Sequence, residues 1–213
     1  MRLSFYDGTL EANGTFNLNL SDPAYSLALN IQGVNLEKLK RDTVVQDKEV
    51  AGLIFAQAKA SGALKNLDGV TGEGKMSIAD GKLWQLNLFK GLGSLLFSRD
   101  FANIVFKQGS CDFFIKDKTV FTDNLLLKSD ITDLTGSVRL GFDSSIEASL
   151  NVKVLDDKAP LTGTFKDITT AIIGEGGRFG IIKVTGTLKD PKYKFHTAVM
   201  DILKGIKNSL LGG

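Results

Sequence analysis

A chain of 213 residues, 43% hydrophobic and 23% charged, is long enough for one large domain or two small ones and too apolar to be disordered. Lys plus Arg number 26 against 24 for Asp plus Glu, a near balance that excludes a dedicated nucleic-acid binder relying on a basic excess. One His (His196) and one Cys (Cys111) exclude a Cys/His metal cluster and a disulfide framework.

From its first residues the chain reads as strand. Leu3 to Asp7 runs into an Asp7-Gly8 turn. No apolar stretch of the secretory-signal kind is present, and no segment approaches the roughly 20 apolar residues of a membrane-spanning helix. A start inside a strand predicts an excised portion of a longer protein with an added Met. Thr15 to Leu20 places Phe16, Leu18 and Leu20 on one face, and Thr15, Asn17 and Asn19 on the other. After a Ser21-Asp22-Pro23 turn signal, Tyr25, Leu27, Leu29 and Ile31 alternate with Ser26, Ala28 and Asn30. Leu36 to Arg41, with Asn35 as N-cap, predicts a short helix. Asp68-Gly69, Asp80-Gly81, Gln108-Gly109 and Asp117-Lys118 are turn signals between short strands, and Leu83 to Phe97 reads as a Gly-interrupted helix or helix-loop.

The clearest alternation follows. Leu134, Gly136, Val138, Leu140 and Phe142 interleave with Thr135, Ser137, Arg139 and Gly141. Ile146, Ala148, Leu150, Val152 and Val154 interleave with Glu147, Ser149, Asn151 and Lys153. Each run is an antiparallel strand with one dry and one wet face, and Asp143-Ser144-Ser145 reads as the hairpin between them. From Thr197, the residues Val199, Ile202, Leu203, Ile206 and Leu210 recur at helical spacing. Gly14, Gly136, Gly163 and Gly186 share a polar-Gly-polar-apolar context near strand starts, where Gly permits a bulge or bend that curls a sheet. The expected fold is mainly β: a long curved antiparallel sheet forming an open groove or partial barrel. It carries a few short helices, among them a C-terminal amphipathic one. No Pro/Ser-rich linker divides the chain, so 1–213 is read as one domain, with the sheet over 1–195 and the helix over 196–213.

Candidate chemistry fails test by test. Gly174 to Gly180 lacks the Gly-Lys-Ser/Thr ending of a phosphate-binding loop and reads as a mobile surface loop. His196 has no nucleophile elbow to serve and reads as structural. Cys111 alternates with Phe113 and Ile115 on an apolar face, where a thiol is buried and inert. Asp156-Asp157 beside Lys158 reads as a solvated turn, and Asn13-Gly14-Thr15 is a glycosylation tripeptide common by chance. The expectation is a protein that is not an enzyme and uses no metal or cofactor.

The order of motifs carries a resemblance. Gly72-Glu73-Gly74-Lys75-Met76-Ser77-Ile78-Ala79-Asp80-Gly81-Lys82-Leu83 is followed by the Leu-rich stretch from Leu86 to Phe97. A strand-turn segment runs from Phe114 to Leu127, then Leu134-Thr135-Gly136-Ser137-Val138-Arg139-Leu140, and near the end Val184-Thr185-Gly186-Thr187-Leu188-Lys189-Asp190-Pro191-Lys192. Upstream, Tyr25 to Leu39 leads into Gly33-Val34-Asn35-Leu36. This order resembles the AsmA family of bacterial envelope proteins, related to the TamB-like and chorein-type bridge proteins, and covers most of the chain. One position departs from the family pattern: Asp117 is followed by Lys118 where Gly is usual. The resemblance implies a periplasmic location behind an inner-membrane anchor outside this sequence. It also implies a role in outer-membrane lipid homeostasis, without catalytic residues or cofactor.

Two functions of different class are expected. In the first, apolar strand surface exceeds what few helices can cover, and the surplus, as the apolar concave face of the curved sheet, holds acyl chains of a phospholipid or other lipid at about 0.8 kcal/mol per buried methylene. The candidate lining is Tyr25, Leu27, Leu29, Ile31, Leu134, Val138, Leu140, Ile146, Leu150 and Val152. The same alternation also describes an ordinary sandwich or barrel core with nothing bound, and it is the resemblance that points to lipid. In the second, exposed sheet edges pair with envelope proteins or neighbouring domains without binding lipid. The C-terminal helix is expected to plug one end of the sheet or, through Lys204 and Lys207, to touch an anionic membrane surface.

Overall fold

In the computed structural model of the protein, the described residues are 1–18, 21, 23–42, 50–82, 106–155 and 178–196. The period-two pattern folds as eleven strands: β1 (Arg2–Phe5), β2 (Gly8–Asn17), β3 (Ala24–Asn35), β4 (Ala51–Ala63), β5 (Asn66–Lys82), β6 (Gln108–Lys116), β7 (Thr119–Lys128), β8 (Thr132–Gly141), β9 (Ile146–Val154), β10 (Arg178–Gly186) and β11 (Pro191–His196). They form a single sheet whose spatial order is the sequence order, every neighbour antiparallel. The sheet is open and curled, as the alternation predicts.

The one helix among the described residues is α1 (Leu36–Leu39), continued by a 3₁₀ turn over Lys40–Asp42. Asn35 caps it as expected, its Oδ1 accepting from the N–H groups of Glu37 at 3.0 Å and Lys38 at 3.2 Å. The helices expected over Leu83 to Phe97 and from Thr197 onward lie outside the described residues.

Several turn signals resolve differently from expectation. The first hairpin turns at Tyr6-Asp7, one residue early, with Phe5 opposite Gly8. Both turn residues have left-handed backbone (φ 45° and 66°), which matches the twist of a two-residue hairpin. Asp117-Lys118 forms the same kind of turn as anticipated (φ 50° and 57°), and Lys118 tolerates the conformation that the family pattern assigns to Gly. Asp68-Gly69 and Asp80-Gly81, by contrast, lie inside β5. The β4–β5 chain reversal is Leu64-Lys65, and the pairing jumps from Ala63–Asn66 to Ser61–Thr71, so Asp68-Gly69 is absorbed as a bulge. Pairing also slips between Leu53–Ala79 and Ala51–Lys82, where Asp80 takes φ 52°. Gln108-Gly109 opens β6, paired to Ala79 and Ile78. Arg178 to Gly180, expected in the Gly-rich loop, is already strand, and residues 174–177 lie outside the described ones. Asp-Gly within β5 marks departures from regular pairing, and a bulge and a turn share that signature.

The buried core is one-sided. Phe106, Leu127, Leu134, Ile146, Ala148, Leu150, Val152, Val154, Ile182 and Val184 form one cluster, with Tyr193 and Val138 packed against it. Each fully buried Ile, Leu or Val here contributes about 1.5–3 kcal/mol. Two hydroxyls enter this region with their partners. Ser129 Oγ donates to the Thr132 carbonyl at 2.8 Å, and Thr132 Oγ1 donates to the Lys153 carbonyl at 3.0 Å. Burial also pushes the Tyr193 phenol up to about 12.

Candidate functional site

Strand register decides which side chains share a face, because residues directly opposite in an antiparallel pair point the same way. Starting from β3, Tyr25, Leu27, Leu29 and Ile31 stand opposite Phe16, Gly14, Ala12 and Leu10 of β2. On the other side they stand opposite Gly62, Ala60, Ala58 and Ala56 of β4. The same face continues through Gly72, Gly74, Met76 and Ile78 of β5 to Ile115, Phe113, Cys111 and Gly109 of β6. Val120, Thr122, Leu125 and Leu127 of β7 carry it to Leu140, Val138, Gly136 and Leu134 of β8, and these to Ile146, Ala148, Leu150 and Val152 of β9. All ten candidate lining residues therefore lie on one face of one sheet. No Asp, Glu, Lys, Arg or His interrupts the paired positions of this face from β2 to β9.

That face has two halves with different surroundings. Over the start of β8 and along β9 and β10 it is dry: Leu134 is 1% exposed, Leu150 3%, and Val152, Ile182 and Val184 0%. Over β2 to β5 it is half open. Leu29 and Met76 are each 39% exposed and Phe16 58%, while Tyr25, Leu27 and Ile31 are intermediate. The ten candidates thus divide into the partly accessible Tyr25, Leu27, Leu29, Ile31, Val138 and Leu140, and the core residues Leu134, Ile146, Leu150 and Val152.

The half-open part has a graded profile set by side-chain size. β3 and β6 present large residues, whereas β4 and β5 between them present Ala58, Ala60, Gly72 and Gly74. Large residues three strand spacings apart, about 14 Å, flank a floor of small ones. Phe113 lies over this floor, its Cζ only 2.5 Å from where a Cβ on Gly74 would sit, and Tyr25 leans likewise over Gly62. A side chain at position 74 would lift the Phe113 ring off the sheet. Sequence reasoning placed Phe113 and Ile115 on an apolar face without joining them to the Tyr25–Ile31 row. The Ala/Gly rows of β4 and β5 went unnoticed, since small residues give little hydrophobic contrast.

Several concavities open on the other side. One, of about 590 Å³, has the row Leu29–Ala58–Gly74–Phe113 as its base and the rows on either side of it as walls, among them Asn30, Gln57, Lys75 and Asp112. The next apolar-face rows, such as Leu27–Ala60 and Ile31–Ala56, do not line it, which places it as a furrow on the polar face. Of the ten candidates only Leu29 borders it. The polar face also carries a ladder of Phe114 stacked on Phe121 (centroids 5.6 Å apart), with Arg139 over the Phe121 ring.

Residues considered for chemistry are dispersed. Cys111 is half-buried; desolvation pushes its thiol up, the neighbouring Asp112 charge adds to this, and a hydrogen bond from Thr122 opposes it. A raised thiol pKa reduces the reactive thiolate. Asn13, Gly14 and Thr15 are exposed on β2. His196 is the last residue of β11, and Asp156 to Lys158 lie outside the described residues. Among the described residues no group of three or more His, Cys, Asp and Glu gathers as metal ligands, and no helix is long and apolar enough to cross a membrane. Compared with protein-family models, curated proteins and solved structures, the chain gives no match.

Proposed function

We propose that the protein is a non-enzymatic lipid-binding or lipid-transport module of the bacterial envelope, of the AsmA kind, holding acyl chains on the apolar face of its curled sheet. The observation that carries this reading is the uninterrupted apolar face from β2 to β9, closed in its C-terminal half and half open in its N-terminal half. An acyl chain along the small-residue floor would cover Leu29, Met76 and their neighbours, each buried methylene contributing about 0.8 kcal/mol. Binding of this type needs no specific polar group on the face, in keeping with its composition. Head groups would stay at the rim, in water. A periplasmic setting and a part in outer-membrane lipid homeostasis rest on the motif order described above.

The test is native mass spectrometry of the purified protein together with titration of a fluorescent fatty acid. Lipid binding predicts phospholipid adducts that survive gentle ionisation, and saturable probe uptake. An adduct-free protein that takes up no probe overturns the reading. It would leave the alternative of a β-domain that pairs through its edges, β1 and β11 each being hydrogen-bonded on one side only among the described residues.

A further inference from the structure

Charge on the polar face follows a rule with a single exception. Wherever two charged residues stand directly opposite in the register, they are of opposite sign: Arg2–Glu11, Lys59–Glu73, Lys75–Asp112, Lys128–Asp133, Asp133–Lys153 and Arg139–Glu147. The exception is on the last two strands, where Lys183 of β10 faces Lys194 of β11. Like charges directly opposite destabilise a strand pair. Lys192 follows two residues before Lys194, and Lys189 sits in the connecting turn; all four are exposed. None takes part in an ion pair among the described residues. The described carboxylates nearest this region are placed elsewhere: Asp143 Oδ1 accepts from the Ser145 N–H at 2.9 Å. Glu147 stands opposite Arg139, and Asp190 belongs to the turn closed on Thr187.

We propose that this lysine cluster docks the C-terminal end of the sheet on an anionic phospholipid surface. Four ammonium groups at one end of the face, without an ion pair among the described residues and including its one like-charge cross-strand pair, complement a sheet of phosphate head groups, and the Lys183–Lys194 repulsion is relieved when that counter-charge arrives. The apolar faces of the same strands, Ile182 and Val184, are fully buried, so the contact is one of charge at the head-group level and not of insertion. The inference draws on the lipid reading only in that a bilayer is where acyl chains would be collected; the docking itself depends on charge alone.

Co-sedimentation with phosphatidylglycerol–phosphatidylcholine vesicles and with pure phosphatidylcholine vesicles tests it. The protein is expected to bind the anionic vesicles, to bind the neutral ones weakly or not at all, and to dissociate at high salt. Each neutralised lysine should weaken partitioning about fivefold, so the double variant Lys183→Gln/Lys194→Gln should lose most binding while Lys59→Gln keeps it. Lys194→Glu separates docking from folding: an opposite-sign pair should hold the melting temperature at or above wild type while vesicle binding falls. Equal binding to both vesicle types, no binding to either, or undiminished binding by the double variant overturns the proposal. Fatty-acid uptake by the double variant should be unchanged. Uptake absent from wild type with anionic binding intact would overturn the lipid-binding reading and leave docking standing.

Discussion

Leu150→Asp is expected to unfold the protein. Leu150 is 3% exposed on β9, between Gly136 of β8 and Ile182 of β10, in the middle of the core cluster. A carboxylate there loses the leucine's burial and has no cation on its face to meet. The cost is about 4 kcal/mol or more, a large share of the stability of a typical domain. Leu150→Ala should be milder, about 2–5 kcal/mol, and leave a folded protein. Circular dichroism melting of the two variants distinguishes them: no cooperative transition for Asp, a lowered one for Ala. A near-wild-type melt for Leu150→Asp would show that this half of the face is open to water. Leu150 is consequently a position for testing the core, and a poor one for testing lipid.

Gly136→Ala should destabilise strongly while leaving a folded protein. Gly136 has φ 153°, and a Cβ there would lie 2.0 Å from the Ser149 carbonyl oxygen and 3.1 Å from the Leu150 Cα. These obstacles are backbone of the paired strand, so β8 and β9 must separate; strain and overpacking together cost about 3 kcal/mol. Gly14, in the same motif context, meets the Leu27 Cδ2 first, at 2.6 Å, with the Ser26 carbonyl further off at 3.2 Å. A side chain yields where a backbone cannot, so Gly14→Ala should cost less. Chemical denaturation of both variants checks the order; equal losses would refute the assignment of Gly136 to a close approach of two backbones.

These two glycines show where sequence patterning stops being informative. Their flanking residues are alike, yet one sits in regular pairing and the other against a neighbouring backbone, a difference that only strand register creates. β8 and β9 were legible because Leu, Val and Ile alternate with Ser, Arg, Glu and Lys, a large contrast at period two. β4 was not, because Ala56, Ala58 and Ala60 differ little from Gln57, Lys59 and Ser61 in bulk. β5 reads as separate pieces because Asp68-Gly69 and Asp80-Gly81 carry turn chemistry, whereas the 17-residue strand absorbs both as bulges. For the candidate site, alternation identified the face of all ten residues, since side-chain direction is a local property. It could not separate Leu150 from Leu29, because burial depends on what lies above the face, and that is settled by the whole chain.

Leu29 and Ser26 allow the most direct test of lipid binding by the apolar face. They lie three residues apart on β3, both exposed, on opposite sides of the sheet. Leu29→Asp and Ser26→Asp add the same charge at nearly the same place, so fatty-acid titration of the two variants isolates the face. Lipid binding by the apolar face predicts that Leu29→Asp, still folded, loses uptake while Ser26→Asp retains it. Equal uptake by both folded variants would contradict it.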